Sequence, residues 1–241
     1  MMAANGPLKK QRTMPHKSML TGLQGTFGTV LADPPWRFQN RTGKMAPEHK
    51  RLRRYRTMSI DEICAMPVAK HAAERCHLYL WVPNALVPWG LQVMDAWGFQ
   101  YKTNLVWFKV RKDGGPDGRG VGFYFRNVTE LVLFGVRGQL RTLPPGRRQV
   151  NLLSTRKEEH SKKPDELYRI IEQCSPGPRL ELFARERVAG WTQWGDELGT
   201  YLGRRPVIPR YNAHKINGAD DSSDPADDVH THRRRSRSRA S

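Results

Sequence analysis

The chain has 241 residues, enough for one sizeable core without disulfide or metal staples. Lys and Arg outnumber Asp and Glu by 41 to 23, and a formal charge of +18 favours polyanionic partners, nucleic acid first. Cys64, Cys76 and Cys174 form no CxxC pair or zinc spacing, and no apolar run approaches the ~20 residues of a membrane-spanning helix, so a soluble, cytoplasmic chain with free thiols and no metal is expected.

In chain order, residues 1–22 are basic, contain Pro and Gly and lack periodicity, and they read as an N-terminal arm. A folded domain is expected over 23–203. It opens with "GTVLAD", a short apolar run ending at a breaker, read as a buried strand. "SIDEICAMPVAKHA" has helical spacing, with Ser59 as N-cap and Glu62 at the capping-box position. "CHLYLWV" is a second buried strand. "NALVPWGLQVMDAWG" reads as a helix from Asn84, with Pro88 near its first turn and Gly98 as its stop. "YKTNLVWFKV" and "TELVLFGVRG" are two further strands, joined by the Gly-rich "RKDGGPDGRGVGFYFRN", read as a mobile loop. "KPDELYRIIEQCS" is a helix and "RLELFAR" another strand. Residues 204–241 are read as a disordered tail, because "NGADDSSDPADDVHTHRRRSRSRAS" joins an acidic block to an Arg/Ser block with no large apolar residue except Val229. Strands alternating with helices predict an α/β fold, a mostly parallel sheet with helices on both faces. Such sheets carry their working sites at the carboxyl ends of strands.

The residues following "TVLA" are therefore of interest. Asp33 sits at a strand's carboxyl end, and Pro34 and Pro35 stiffen the chain behind it. Neither proline donates a backbone hydrogen bond, so the stub presents acceptors, the Asp33 carboxylate and the Pro34 carbonyl. Trp36 adds a flat apolar surface. Two acceptors beside an aromatic plane suit a planar base bearing an exocyclic amine. Its two hydrogens have partners, its lone pair can be aimed at an electrophile, and the base can stack on Trp36. The ordinary alternative is a Pro-rich turn with the tryptophan in the core.

"VLADPPW", "YRTMSIDEI", "LYLWVPNA", "WGFQYKTNLVWFKV", "TELVLFGVRG", "HSKKPDELYRIIEQCSPG", "RLELFAR" and "GWTQWGDEL" follow one another over about residues 27–198. This series resembles, in order, the blocks of the DPPW-type N6-adenine methyltransferases, the family that includes the catalytic subunit of the eukaryotic messenger-RNA N6-adenosine methyltransferase. The resemblance implies a Rossmann-like class I methyltransferase domain with permuted motif order, using S-adenosylmethionine. It implies catalytic roles for Asp33, Pro34, Pro35, Trp36 and Tyr55, and cofactor contacts from Asp33, Lys163, Glu181, Arg185, Asp196 and Glu197. Lys163 would meet the methionine carboxylate. Arg185 and the Asp196–Glu197 pair would meet the ribose. The eukaryotic catalytic subunit has His-Asn where this chain has Arg187 and Val188, and Asn-Gln where it has Asp196 and Glu197.

Between the tetrad and the next helix runs "RFQNRTGKMAPEHKRLRRYR". Arg41, Lys44, Lys50, Arg51, Arg53, Arg54 and Arg56 are placed to neutralise phosphates flanking a target base, against the alternative of a solvated charged loop. The expectation is N6-adenine methylation in nucleic acid, with DNA ahead of RNA because the domain is compact. A catalytically silent nucleic-acid-binding scaffold is the rival from another class.

Overall fold

The computed structural model describes residues 20–37, 57–118, 124–156, 163–196 and 198, all within the compact unit Met1–Leu202. Seven strands make one sheet: β1 (Phe27–Ala32), β2 (Ala72–Val82), β3 (Gln100–Val110), β4 (Thr129–Arg137), β5 (Leu152–Arg156), β6 (Arg179–Leu182) and β7 (Trp191–Trp194). Their order is β5-β3-β4-β2-β1-β6-β7. β1 pairs in parallel with β2 and β6, β6 with β7, and β3 with β5. Only β4 is reversed, antiparallel to both β2 and β3. That reversal has a consequence for the site, because it brings the start of β4 to the edge where β1, β2 and β3 end.

Among the described residues, three α-helices cover the sheet: α1 (Ile60–Cys64), α2 (Val87–Ala96) and α3 (Glu166–Cys174). Side-chain alternation divides the core between the two faces. Val30 and Ala32 of β1 and Leu78, Leu80 and Val82 of β2 join Ile63 of α1 and Val93 and Met94 of α2 in one cluster. Leu31, Tyr79 and Trp81 join Leu167, Ile170, Ile171 and Cys174 of α3 in the other. The expected Rossmann-like sheet with helices on both faces is thus present.

Local chemistry explains most boundaries. The capping box forms as expected: Ser59 Oγ accepts from Glu62 N at 3.2 Å, and Glu62 Oε2 accepts from Ser59 N at 2.7 Å. The single helix expected through His71 does not form. Pro67 has no N–H to give and its ring would meet the carbonyl four residues back, so α1 stops at Cys64 and a 3-10 turn, Val68–Lys70, follows. The expected helix at Asn84 starts as a 3-10 turn, Asn84–Leu86, and becomes α-helical at Val87 with Pro88 in its first turn. Gly98 ends it at φ +78, its N–H bonded to the Asp95 carbonyl at 2.9 Å. The short edge strands β5 and β7 have only five and four residues, too few for a clear alternating pattern, and were not expected. Among the described residues, no helix is long and apolar enough to cross a membrane.

Candidate active site

The period-two rule also sorts the polar groups. On β1 the side chains facing α3 are those of Thr29 and Leu31, and Asp33 continues the series just beyond the strand end. On β2 they are His77, Tyr79 and Trp81; on β3, Leu105, Trp107 and Lys109; on β4, Glu130, Val132 and Phe134. Lys163 precedes α3 on the same face. Four charged groups on four segments therefore converge at one edge of one face.

Lys163 Nζ donates to Glu130 Oε2 at 3.0 Å and lies 3.4 Å from Asp33 Oδ2. Lys109 Nζ donates to the other Glu130 oxygen. Both ammonium groups also sit over indole rings, Lys163 over Trp81 at 4.3 Å and Lys109 over Trp107 at 4.7 Å. The two indoles pack edge to face, 5.8 Å apart. The charges are partly withdrawn from water, with side-chain exposures of 31% for Asp33 and 22% for Lys163.

The environment treats the two carboxylates differently. Burial pushes the Asp33 pKa upward and Glu130 adds to this, while Lys163 and Arg185 pull it down; the balance leaves it raised. Burial also opposes the charge on Glu130, but Lys163 and Lys109 overcome it and hold its pKa at about 2. Burial disfavours charge on Lys163 too, and the joint pull of Asp33 and Glu130 outweighs it, so its pKa is raised. Glu130 is thus held as an anion between Lys163 and Lys109. Asp33 is the acid of the cluster with a heightened hold on a proton.

The tetrad folds so that its acceptors and its tryptophan part company. The Pro34 carbonyl accepts from Trp36 N at 2.8 Å, leaving one lone pair. The Pro35 carbonyl accepts from Met58 N at 2.8 Å, and Arg37 N bonds back to the Met58 carbonyl at 3.1 Å. The chain that leaves the tetrad at Arg37 therefore returns to it at Met58. Trp36 is only 4% exposed and belongs to the cluster with Ile63 and Val82, on the opposite face from Asp33. Its indole N–H donates to the Trp81 carbonyl at 2.9 Å. The expected stacking surface on Trp36 is therefore not there. A buried indole needs a partner for its N–H, and the nearest one ties it into the core, where it braces the tetrad against the end of β2.

At the neighbouring strand ends, β6 turns sharply after Leu182, with Phe183 at φ +64. Ala184 N bonds to the Trp194 carbonyl at 3.0 Å, and Gly195 packs so closely that a Cβ there would lie 2.4 Å from the Ala184 oxygen. This clamp sets Arg185 near Asp33, whose pKa it lowers, and leaves Asp196 exposed just past β7. Glu181 faces α3 and is already engaged: Tyr168 Oη donates to one oxygen at 2.7 Å and Gln193 Nε2 to the other at 2.8 Å. The donor set fits S-adenosylmethionine in kind. Lys163 and Arg185 are cations for a carboxylate and hydroxyls, Asp33 is an anion for an ammonium, and Asp196 is an exposed acceptor at a strand end.

The structure thus brings Asp33, Pro34, Lys163 and Arg185 to one edge and places Asp196 at the adjoining strand end. Tyr55, the basic residues Arg41, Lys44, Lys50, Arg51, Arg53, Arg54 and Arg56, and Glu197 lie outside the described residues. Sequence reasoning missed Glu130, Lys109 and Trp81. The available signal was a charged residue at the mouth of an apolar strand, Glu130 in "TELVLFG" and Lys109 in "LVWFKV".

Comparison with known proteins bears on this geometry. The chain is 30% identical over 204 residues to an N(6)-adenosine-methyltransferase MT-A70-like protein of Arabidopsis thaliana, covering 82% of this chain and 27% of the relative. It is 29% identical over 201 residues to the human N(6)-adenosine-methyltransferase catalytic subunit METTL3, covering 80% and 32%. The type II methyltransferase M.MunI of Mycoplasma sp is 29% identical over 189 residues, covering 71% of this chain and 78% of the relative. The chain spans less than a third of the length of the two eukaryotic relatives. The MT-A70 family model matches residues 27–197, well over half the chain and every element that builds the site, and the chain belongs to that family.

Proposed function

We propose that this chain is an S-adenosylmethionine-dependent methyltransferase acting on N6 of adenine in nucleic acid, with DNA the favoured substrate and RNA the second. The observation that carries the reading is the Asp33 carboxylate, with raised pKa, held beside Lys163 at the carboxyl end of β1 and followed by a carbonyl with a lone pair to spare. The adenine amine donates one hydrogen to Asp33 and one to the Pro34 carbonyl. That grip aims the nitrogen lone pair and stabilises the positive charge growing on it during attack. When bound, S-adenosylmethionine supplies an electrophilic methyl group on a sulfonium. Asp33, the better proton acceptor for its raised pKa, takes the proton that the methylated amine sheds.

Lys163 holds the methionine carboxylate, and Arg185 and Asp196 the ribose side. The Lys163 ammonium pairs with Asp33 at 3.4 Å and is held more closely by Glu130 at 3.0 Å and by the Trp81 face, so its charge is shared between the two carboxylates. Tyr55 is assigned to the methyl-transfer centre and the basic residues between Arg41 and Arg56 to flanking phosphates; Arg37 and Met58, on either side of that segment, are pinned at the tetrad. The DNA reading draws on the type II methyltransferase, 78% of whose length the match covers. The RNA reading draws on the adenosine-methyltransferases, which are several times longer. An intact tetrad with its ion cluster argues against a silent scaffold.

The test is nucleoside mass spectrometry after incubating the chain and S-adenosylmethionine with DNA and RNA. N6-methyl-2′-deoxyadenosine is expected, and its absence alongside N6-methyladenosine reverses the substrate order. No methylated adenine in either pool, with thermal stabilisation by S-adenosylhomocysteine intact, leaves the scaffold.

A further inference from the structure

The β3–β4 loop ends in two aromatic side chains that the fold leaves in water. Tyr124 is 95% exposed and Phe125 85%, the two most exposed large apolar side chains among the described residues, ahead of Val150 at 66%. Their backbone is not adrift. Asn84, just beyond the carboxyl end of β2, donates through Nδ2 to Asn127 Oδ1 at 3.4 Å, to the Thr129 carbonyl at 3.1 Å and to Thr129 Oγ1 at 3.2 Å. Lys109 N closes the loop root on the Val128 carbonyl at 2.8 Å. Phe125 therefore lies two residues from an anchor at the very edge that carries Asp33, Lys163 and Glu130. A cation adjoins the rings: Arg126, whose Nη1 reaches the Gly118 carbonyl at 3.4 Å.

We propose that Tyr124 and Phe125 form a stacking platform for unpaired nucleotides flanking the target adenine, a reading that rests on the proposed function. Two consecutive aromatic residues followed by Arg126, on a loop root pinned at the site edge of a chain of net charge +18, match what single strands offer, π-faces and phosphates. The platform also supplies an aromatic surface near the site that Trp36, sealed in the core, does not.

The test uses the full chain and a single-stranded oligonucleotide with one adenine. Stacking is worth roughly 5- to 150-fold per base, so a Tyr124→Ala/Phe125→Ala variant is expected to raise KM at least about tenfold with kcat within about twofold. Abasic flanks should cost the wild type the same factor and cost the variant nothing more. Phe125→Trp should keep wild-type KM. Unchanged KM in the double variant, or further loss on abasic flanks, overturns the platform. A changed sedimentation state with KM intact overturns it in favour of a protein interface. Fluorescence anisotropy of the oligonucleotide reads the same losses as affinity without turnover, so a wild-type chain that binds but does not methylate sinks the proposed function and leaves the platform testable.

Discussion

Two polar clusters lie on the same face of the sheet, at opposite ends of the same strands, and they obey different rules. Toward the start of β1 and β2, Ser175 Oγ meets His77 Nδ1 at 2.8 Å and Tyr79 Oη at 2.7 Å, and Thr29 Oγ1 donates to the Pro176 carbonyl at 2.6 Å. His77, Ser175 and Thr29 are fully buried. Burial lowers the His77 pKa and raises that of Tyr79, so both stay neutral. At the carboxyl edge, Asp33, Lys163, Glu130 and Lys109 form an ion cluster that is largely but not fully withdrawn from water. Polar groups that merely join elements can afford to be neutral and sealed. Charges are retained where something outside the protein is to be gripped, and their desolvation is offset by partners that leave an acceptor over.

The largest expected effect is at Asp33. Replacing it with Ala should cut methyl incorporation by about 10²–10³-fold, the loss typical of one preorganised polar group at a reacting centre. Stability should not fall with it. A raised carboxyl pKa means the folded chain holds the proton more tightly than the unfolded one, so ionising Asp33 at neutral pH opposes folding. Asp33→Asn should therefore melt no lower than wild type in a thermal scan at pH 7. In wild type, the acid limb of the activity profile should lie above the ordinary carboxylate value of 3.8. An Asp33 variant that melts lower would make this residue a structural one, like the other cluster.

Glu130 should behave oppositely. Its pKa of about 2 in the fold, against an ordinary 4.5, contributes stability that is present above about pH 4.5 and lost as pH falls toward 2. Glu130→Gln should cost on the order of 3 kcal/mol in urea unfolding at pH 7, and the gap from wild type should close in acid. Activity should drop as well, through a Lys163 that has lost its positioning partner, with weaker binding of S-adenosylhomocysteine as the separate readout. A gap that persists at pH 2 would mean packing, not charge, is what Glu130 contributes.

How much of this was legible in advance follows from range. Short-range chemistry was readable: the Ser59–Glu62 box, the stop at Gly98, the buried run of β1 and the stiff acceptor stub all depend on a few neighbouring residues. Tertiary choices were not. Whether the Trp36 ring faces ligand or core was decided by the Trp81 carbonyl, 45 residues away. Glu130 became part of the site only because β4 runs backwards, which depends on the loop returning antiparallel to β3 rather than crossing over. The sealed cluster was invisible for the same reason: Ser175 meets residues nearly a hundred positions upstream.

That cluster yields the smallest predictions, and they sharpen the contrast from its other side. In one proton arrangement Tyr79 donates to Ser175 and Ser175 donates to His77 Nδ1, which leaves the buried His77 Nε2 without a hydrogen-bond partner. Ser175→Ala removes the middle of that chain and strands a buried donor and a buried acceptor, at about 1–3 kcal/mol in unfolding free energy. Tyr79→Phe removes only an end and leaves the Ser175–His77 bond standing, so about 1 kcal/mol is expected. Neither should change kcat, because neutral groups at the far ends of the strands exert little field on the reacting edge. The pH dependence is different as well. A His77 held neutral below its ordinary 6.5 makes the fold lose stability as pH falls past that value, since the unfolded chain takes the proton first. His77→Gln should flatten that slope while the Glu130 transition at lower pH remains, and two separable acid limbs in the unfolding data would show that the two clusters answer to different chemistry.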